Sequence, residues 1–234
     1  MKKTITTKMA NLLFQTATGF MMLCASVAYA GLPIVNNGAG DISLTGAADG
    51  NPDSIGGGTY LATSGSHFYS YDGGTDNGLL YSYVYGVGVD PLNTLGGYTF
   101  VYAITNFPAV GALLGELQIG SSGSGTSWGS TVELGYSSAY ADNPPATGSL
   151  NLDSTVTFNW NPPSQQIYWY YVVVCTAEQN YGLTTAIVGD GSGGDSADVS
   201  VLTPVAAPEP STLTLLLLSP GVLAFRALRK ARAA

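Results

Sequence analysis

Hydrophobic and polar positions alternate singly through most of the middle of this chain. From Leu79 to Val89, Leu79, Tyr81, Tyr83, Tyr85, Val87 and Val89 fall on one side, and Leu80, Ser82, Val84, Gly86 and Gly88 on the other. That two-residue period is the signature of a β-strand. Tyr98 to Thr105 repeats it, setting Tyr98, Phe100, Tyr102 and Ile104 against Thr99, Val101, Ala103 and Thr105. Leu113, Leu117 and Ile119 mark another strand, with Glu116 and Gln118 on its wet face; Val132-Leu134-Tyr136 and Val156-Phe158-Trp160 mark two more. Gln166 to Thr176 is apolar on both sides, which predicts a central strand. Residues 183–188 and 197–202 complete the set.

Turn chemistry separates these runs. Asp72 to Gly78, Ser121 to Ser127 and Gly189 to Asp195 are clusters of Gly, Ser, Asp and Asn, and Asn161-Pro162-Pro163-Ser164 ends the strand before it. With about nine or ten strands at this spacing and no amphipathic helical period, the pattern predicts an all-β fold: a single antiparallel β-sandwich over residues 58–204, with a jelly roll among its possible arrangements. Residues 31–57 are rich in Gly, Asn, Asp and Ala and read as a flexible leader, with one short edge strand at Asp41–Thr45.

Both ends carry a different grammar. Lys2, Lys3 and Lys8 precede an apolar run from Leu12 to Val27, and Ala28-Tyr29-Ala30 then places small residues before Gly31. This predicts a signal peptide over residues 1–30, removed by signal peptidase, and Cys24 leaves with it. At the other end, residues 205–234 contain Pro208-Glu209-Pro210-Ser211-Thr212, an apolar stretch from Leu213 to Phe225, and Arg226, Arg229, Lys230 and Arg232. The prolines fix an extended backbone around Glu209, a shape suited to a protease groove. The apolar stretch is shorter than the roughly 20 residues of a simple membrane span, so it suits a transient membrane anchor, with the basic tail held on the cytoplasmic side.

This order of parts resembles the PEP-CTERM sorting domain of bacteria that secrete polysaccharide. The resemblance implies a hydrophobic sorting helix and processing by an exosortase-type membrane protease. It also implies delivery to the cell envelope or extracellular matrix, with an exopolysaccharide as a candidate partner.

Charge sharpens the reading of the body. All seven Lys and Arg residues lie in the two ends, and none occurs between Gly31 and Ala207, where fourteen Asp and Glu residues are found. Nucleic-acid binding, which neutralises phosphates with Lys and Arg, is excluded, as are Schiff-base lysines and lysine-bearing phosphate cradles. Beyond residue 30 the chain has one cysteine, Cys175, and one histidine, His67. Cys175 reads as a small strand-interior hydrophobe and His67 as an isolated structural residue.

Three kinds of chemistry remain. Asp72, Asp76 and Asn77 in one turn, and Asp190, Asp195 and Asp198 in another, supply the oxygen ligands calcium takes. The same residue types also make ordinary turns, and neither loop has EF-hand spacing. Trp128 sits in a Gly/Ser-rich loop, the context for an exposed platform that stacks on sugar rings, whereas Trp160 and Trp169 read as packing residues of strands. Glycoside hydrolysis needs two placed carboxylates, and the body's glutamates, Glu116, Glu133 and Glu178, read as solvated strand and turn positions. The sequence thus reads as a non-enzymatic exported protein; a carbohydrate- or calcium-binding matrix module is the alternative, and a glycoside-active enzyme the third reading.

Overall fold

A computed structural model of the chain describes residues 32–44, 46–47, 58–74, 76–87, 93–107, 113–120, 124–137, 144–164, 169–191 and 195–206. The signal segment, with Ala28, Ala30 and Gly31, and the sorting segment, with Pro208, Glu209, Pro210, Ser211 and Thr212, lie outside the described residues.

In chain order the strands are β1 (Ile34–Asn36), β2 (Ile42–Ser43), β3 (Gly46–Ala47), β4 (Tyr60–Thr63), β5 (His67–Tyr71), β6 (Asp76–Tyr85), β7 (Thr99–Asn106), β8 (Leu114–Ile119), β9 (Thr131–Ser137), β10 (Thr147–Leu150), β11 (Val156–Ser164), β12 (Tyr170–Thr176), β13 (Tyr181–Gly189) and β14 (Ser196–Pro204). They form two sheets. The first runs β1-β9-β12-β7-β6-β4, with β3 also on β9 and β5 also on β6. The second runs β14-β13-β8-β11-β10-β2. Every pairing is antiparallel except the short β3–β9 contact. The protein is an all-β sandwich, as the alternation predicts.

The alternating positions explain which side each sheet buries. Leu80 and Val84 of β6, Phe100, Tyr102 and Ile104 of β7, and Val172 and Val174 of β12 face Leu117 and Ile119 of β8, Val156 and Phe158 of β11, and Val188 of β13 in one core. β12 lies between β7 and β9 and buries nearly its whole length, which accounts for its two apolar sides. Glu116 and Gln118 stay half-buried on the outer face of β8, as their place in the alternation requires.

Side chains also tie one sheet to the other. Ser82 Oγ of β6 accepts the Leu202 N–H of β14 at 2.8 Å, and Tyr102 Oη donates to the Leu202 carbonyl at 2.8 Å. A fully buried polar pair at a sheet–sheet contact forms where both members are satisfied.

Two expectations change. The stretch expected to be a leader supplies β1, β2 and β3; Val35 of β1 is buried in the core, and β2 is the edge strand expected at Asp41–Thr45. And Asn161-Pro162-Pro163-Ser164 does not end β11. The strand continues to Ser164, opposite Leu114, after a register shift beyond Asn159. Proline has no N–H for a ladder, so an irregular pairing is where it fits inside a sheet.

Candidate functional site

The Asp-Gly loops that are far apart in sequence converge at one end of the sandwich. Strand register does this. β13 and β14 form a hairpin in which Gly189 faces Ser196, and Gly189 also faces Glu116 of β8. Gly115, next to Glu116, permits the close approach: a Cβ there would lie 1.9 Å from the Asp190 carbonyl oxygen. The result is a cleft of about 210 Å³ lined by Glu116, Gln118, Ile187, Asp190, Asp195 and Ser196. Its volume equals that of roughly seven waters and falls below the usual range of pockets that enclose drug-sized ligands.

The β5–β6 turn approaches the same end. Asp76 is buried, and its Oδ1 accepts the Leu113 N–H at 3.1 Å; Tyr71 Oη donates to the Leu113 carbonyl at 2.5 Å. Burial pushes the Asp76 carboxyl up, the Leu113 N–H pulls it part of the way back, and the charges of Asp72, Asp190 and Asp195 push it up again. Burial likewise raises Tyr69 and Tyr71, with Asp76 adding to both. Asp72, Asp76, Asp190 and Asp195 therefore share one electrostatic environment, with no lysine or arginine in the body to relieve it.

The predicted calcium triad is only partly assembled. Asp190 and Asp195 line the cleft, but Asp198 stands one row further along the sheet, exposed and paired with Ile187. Glu116 takes the place expected for it. Among the described residues, no three carboxylate, imidazole or thiol groups lie close enough to chelate one ion. All the donors are hard oxygens of the kind calcium takes.

Trp128 is a correction. Its side chain is 0 % exposed, its ring meets Phe100 edge-on at 5.4 Å, and Nε1 donates to the Ile119 carbonyl at 3.4 Å. It presents no ring face to a sugar. The loop turns inward there because Thr126 bridges to Val205 and the Ser127 N–H donates to the Pro204 carbonyl at 2.8 Å.

Glu133 is not solvated either. It is 1 % exposed and accepts from the N–H of Thr94 at 3.0 Å and from the Thr94 hydroxyl, holding the loop before β7. Glu178 is half-buried beside that loop and accepts the Tyr98 N–H through its backbone carbonyl. His67 Nε2 bonds the Ser64 carbonyl at 2.9 Å, and Cys175 is fully buried.

Compared with protein families, curated proteins and solved structures, the chain matches none of them.

Proposed function

We propose that this chain is an exported, non-catalytic β-sandwich of the bacterial cell envelope or extracellular matrix, delivered by its sorting segment and cut there by an exosortase-type protease. The observation that carries the reading is the division of charge: every Lys and Arg lies in the terminal segments, and the body between them is purely acidic. Basic flanks direct membrane insertion and are dispensable afterwards, whereas an acidic body keeps its copies apart by like-charge repulsion.

The engagement of the reactive side chains supports a non-catalytic body. Cys175 packs in the interior, His67 closes a turn, Glu133 holds a loop, and Tyr69, Tyr71 and Tyr102 donate to backbone carbonyls. The test is the intact mass of the exported protein. The expected mature chain begins at Gly31 and ends between Pro208 and Thr212; retention of Arg226 to Ala234 on the extracellular protein overturns the proposal.

The alternative reading, a calcium-binding module, is tested at the acidic end, where Glu116, Asp190 and Asp195 line one cleft. Binding to the folded state alone stabilises it by about 2.7 kcal/mol at a hundredfold excess over Kd. Millimolar calcium should raise the melting temperature above a NaCl control of equal ionic strength, and Asp195→Asn should reduce the gain. Equal effects of the two salts reduce these loops to turns.

A further inference from the structure

The two sheets differ on their outer faces, and the difference points to a second site. The second sheet keeps to the usual rule that one face packs and the other is polar, with Ile187 and the exposed Leu183 as apolar exceptions. Its outward positions include Thr147, Asn159, Glu116, Ser196, Asp198 and Ser200. The first sheet breaks the rule. Its outer face carries a second apolar cluster of Leu32, Tyr85, Val101, Val173 and Cys175, with the partly exposed Tyr83 and Tyr171 packed against it.

Register places the rings. Tyr81 of β6 and Tyr171 of β12 both lie opposite Ala103 of β7, on either side of it, and Tyr83 lies opposite Val101. The Tyr81 and Tyr83 rings are parallel with centroids 6.3 Å apart, and Trp169 meets Tyr81 edge-on at 5.3 Å. Ala103 and Val101 are buried beneath them. Tyr81, Tyr83 and Trp169 thus form an aromatic cluster, with Tyr171 across Ala103 from it, all partly exposed over a floor of small side chains.

We infer that this surface of Tyr81, Tyr83, Trp169 and Tyr171 binds a neutral oligosaccharide, independently of how the chain is sorted and of the acidic end. A pyranose ring offers an apolar C–H face to the negative face of an aromatic ring, and the polar tips of Tyr and Trp offer hydrogen bonds to its hydroxyls. Charge selects the class: the body has no cation to hold a uronate or a sulfate, and the platform itself carries no formal charge. Size argues the same way. Aromatic side chains measure about 150–250 Å² each, so four rings that are mostly buried offer roughly 100–300 Å². A stable protein partner takes about 800 Å² per side, whereas a few sugar units are covered by the smaller figure.

The test is a panel of neutral hexasaccharides (glucan, mannan, galactan and xylan) with hexagalacturonate as the polyanion, titrated calorimetrically into the full chain. Binding of at least one neutral member and none of hexagalacturonate is expected. Trp169→Ala should weaken that binding about tenfold or more, as removal of an aromatic anchor does, while Trp169→Phe retains part of it. Tyr81→Ser serves as the second variant should Trp169→Ala melt early. Asp198→Asn, on the other sheet, should leave binding unchanged. Failure of every neutral member to bind, or binding that survives both Trp169→Ala and Tyr81→Ser, overturns the inference. So does light scattering that shows a dimer lost on Trp169→Ala, because the surface is then a contact between copies.

Discussion

Removing the Trp128 ring tests the placement of a residue whose sequence context points the other way. The side chain is fully buried against Phe100, its indole N–H donates to Ile119, and its own carbonyl accepts from Thr176 Oγ1 at 2.9 Å. Trp128→Ala leaves that backbone bond possible but empties a large site, at a cost of about 3–5 kcal/mol. Trp128→Phe keeps most of the apolar contact and gives up one long hydrogen bond worth roughly 0.5–1.5 kcal/mol. One kcal/mol shifts the melting temperature of a domain this size by about 2–4 °C, so the alanine variant should melt roughly 6–20 °C early. That is a large share of a total stability of about 5–15 kcal/mol. Circular dichroism melts, with urea midpoints as a second measure, read the effect. Leu152→Ala, at a side chain 82 % exposed, is the control and should stay within about 0.5 kcal/mol of the parent. A Trp128→Ala protein that melts with the Leu152→Ala control would place the ring in solvent and refute the packing described above.

Three further outcomes follow from the same geometry. Asp76 has a raised carboxyl pKa in the folded state, so its contribution is full below the ordinary aspartate range and is lost as pH rises through the raised value. Asp76→Asn should therefore be more stable than the parent at neutral pH, with the gap in urea midpoint closing toward pH 3; a gap independent of pH contradicts the assignment. Gly115→Ala drives a methyl into the Asp190 backbone and should cost about 1–3 kcal/mol or more, while Gly86→Ala, whose new methyl only touches Leu61, should be near neutral; equal melts would mean that β8 and the β13–β14 turn are not in contact. Asn106 is fully buried with neither side-chain atom hydrogen-bonded, so Asn106→Leu should be neutral or stabilising by up to about 1–3 kcal/mol; a clear loss in a calorimetric melt would show that its amide has a partner.

The fold was legible wherever one strand's own pattern decides it. The two apolar sides of β12 announce a central strand, and the wet Glu116 and Gln118 orient β8 without reference to any neighbour. What depends on pairing across long sequence separations was not legible. β1 is short, sits in a stretch of turn-forming residues, and exists because Ile34, Val35 and Asn36 pair with β9 nearly a hundred residues later. Trp128 looked exposed because its flanking glycines and serines say nothing of the contact with Pro204 and Val205 that turns it inward. The acidic end was half legible. Both Asp-Gly turns could be named from sequence, but only the order β13-β8-β11 brings Glu116 beside Asp190 and Asp195, and only the sandwich brings Asp76 into their field. The aromatic platform was hidden for a related reason: alternation assigns Tyr81 and Tyr83 to one face, but not which face is the outside.

The ties from Ser82 and Tyr102 to Leu202 have a consequence for how copies of this protein behave when crowded. β14 is the last strand of its sheet, and such a strand offers unpaired backbone groups on which a neighbouring chain can grow a ladder. Here the two groups of Leu202 are already occupied from the facing sheet, and the Ser127 N–H occupies the carbonyl of Pro204, a residue with no N–H of its own to give. Toward its other end the strand carries Asp198, with Asp195 just before it, both exposed; charges at an edge oppose templating by a like-charged copy. The border of the sandwich is thus blunted by hydrogen bonding at one end and by charge at the other, which disfavours strand addition between copies at high local density.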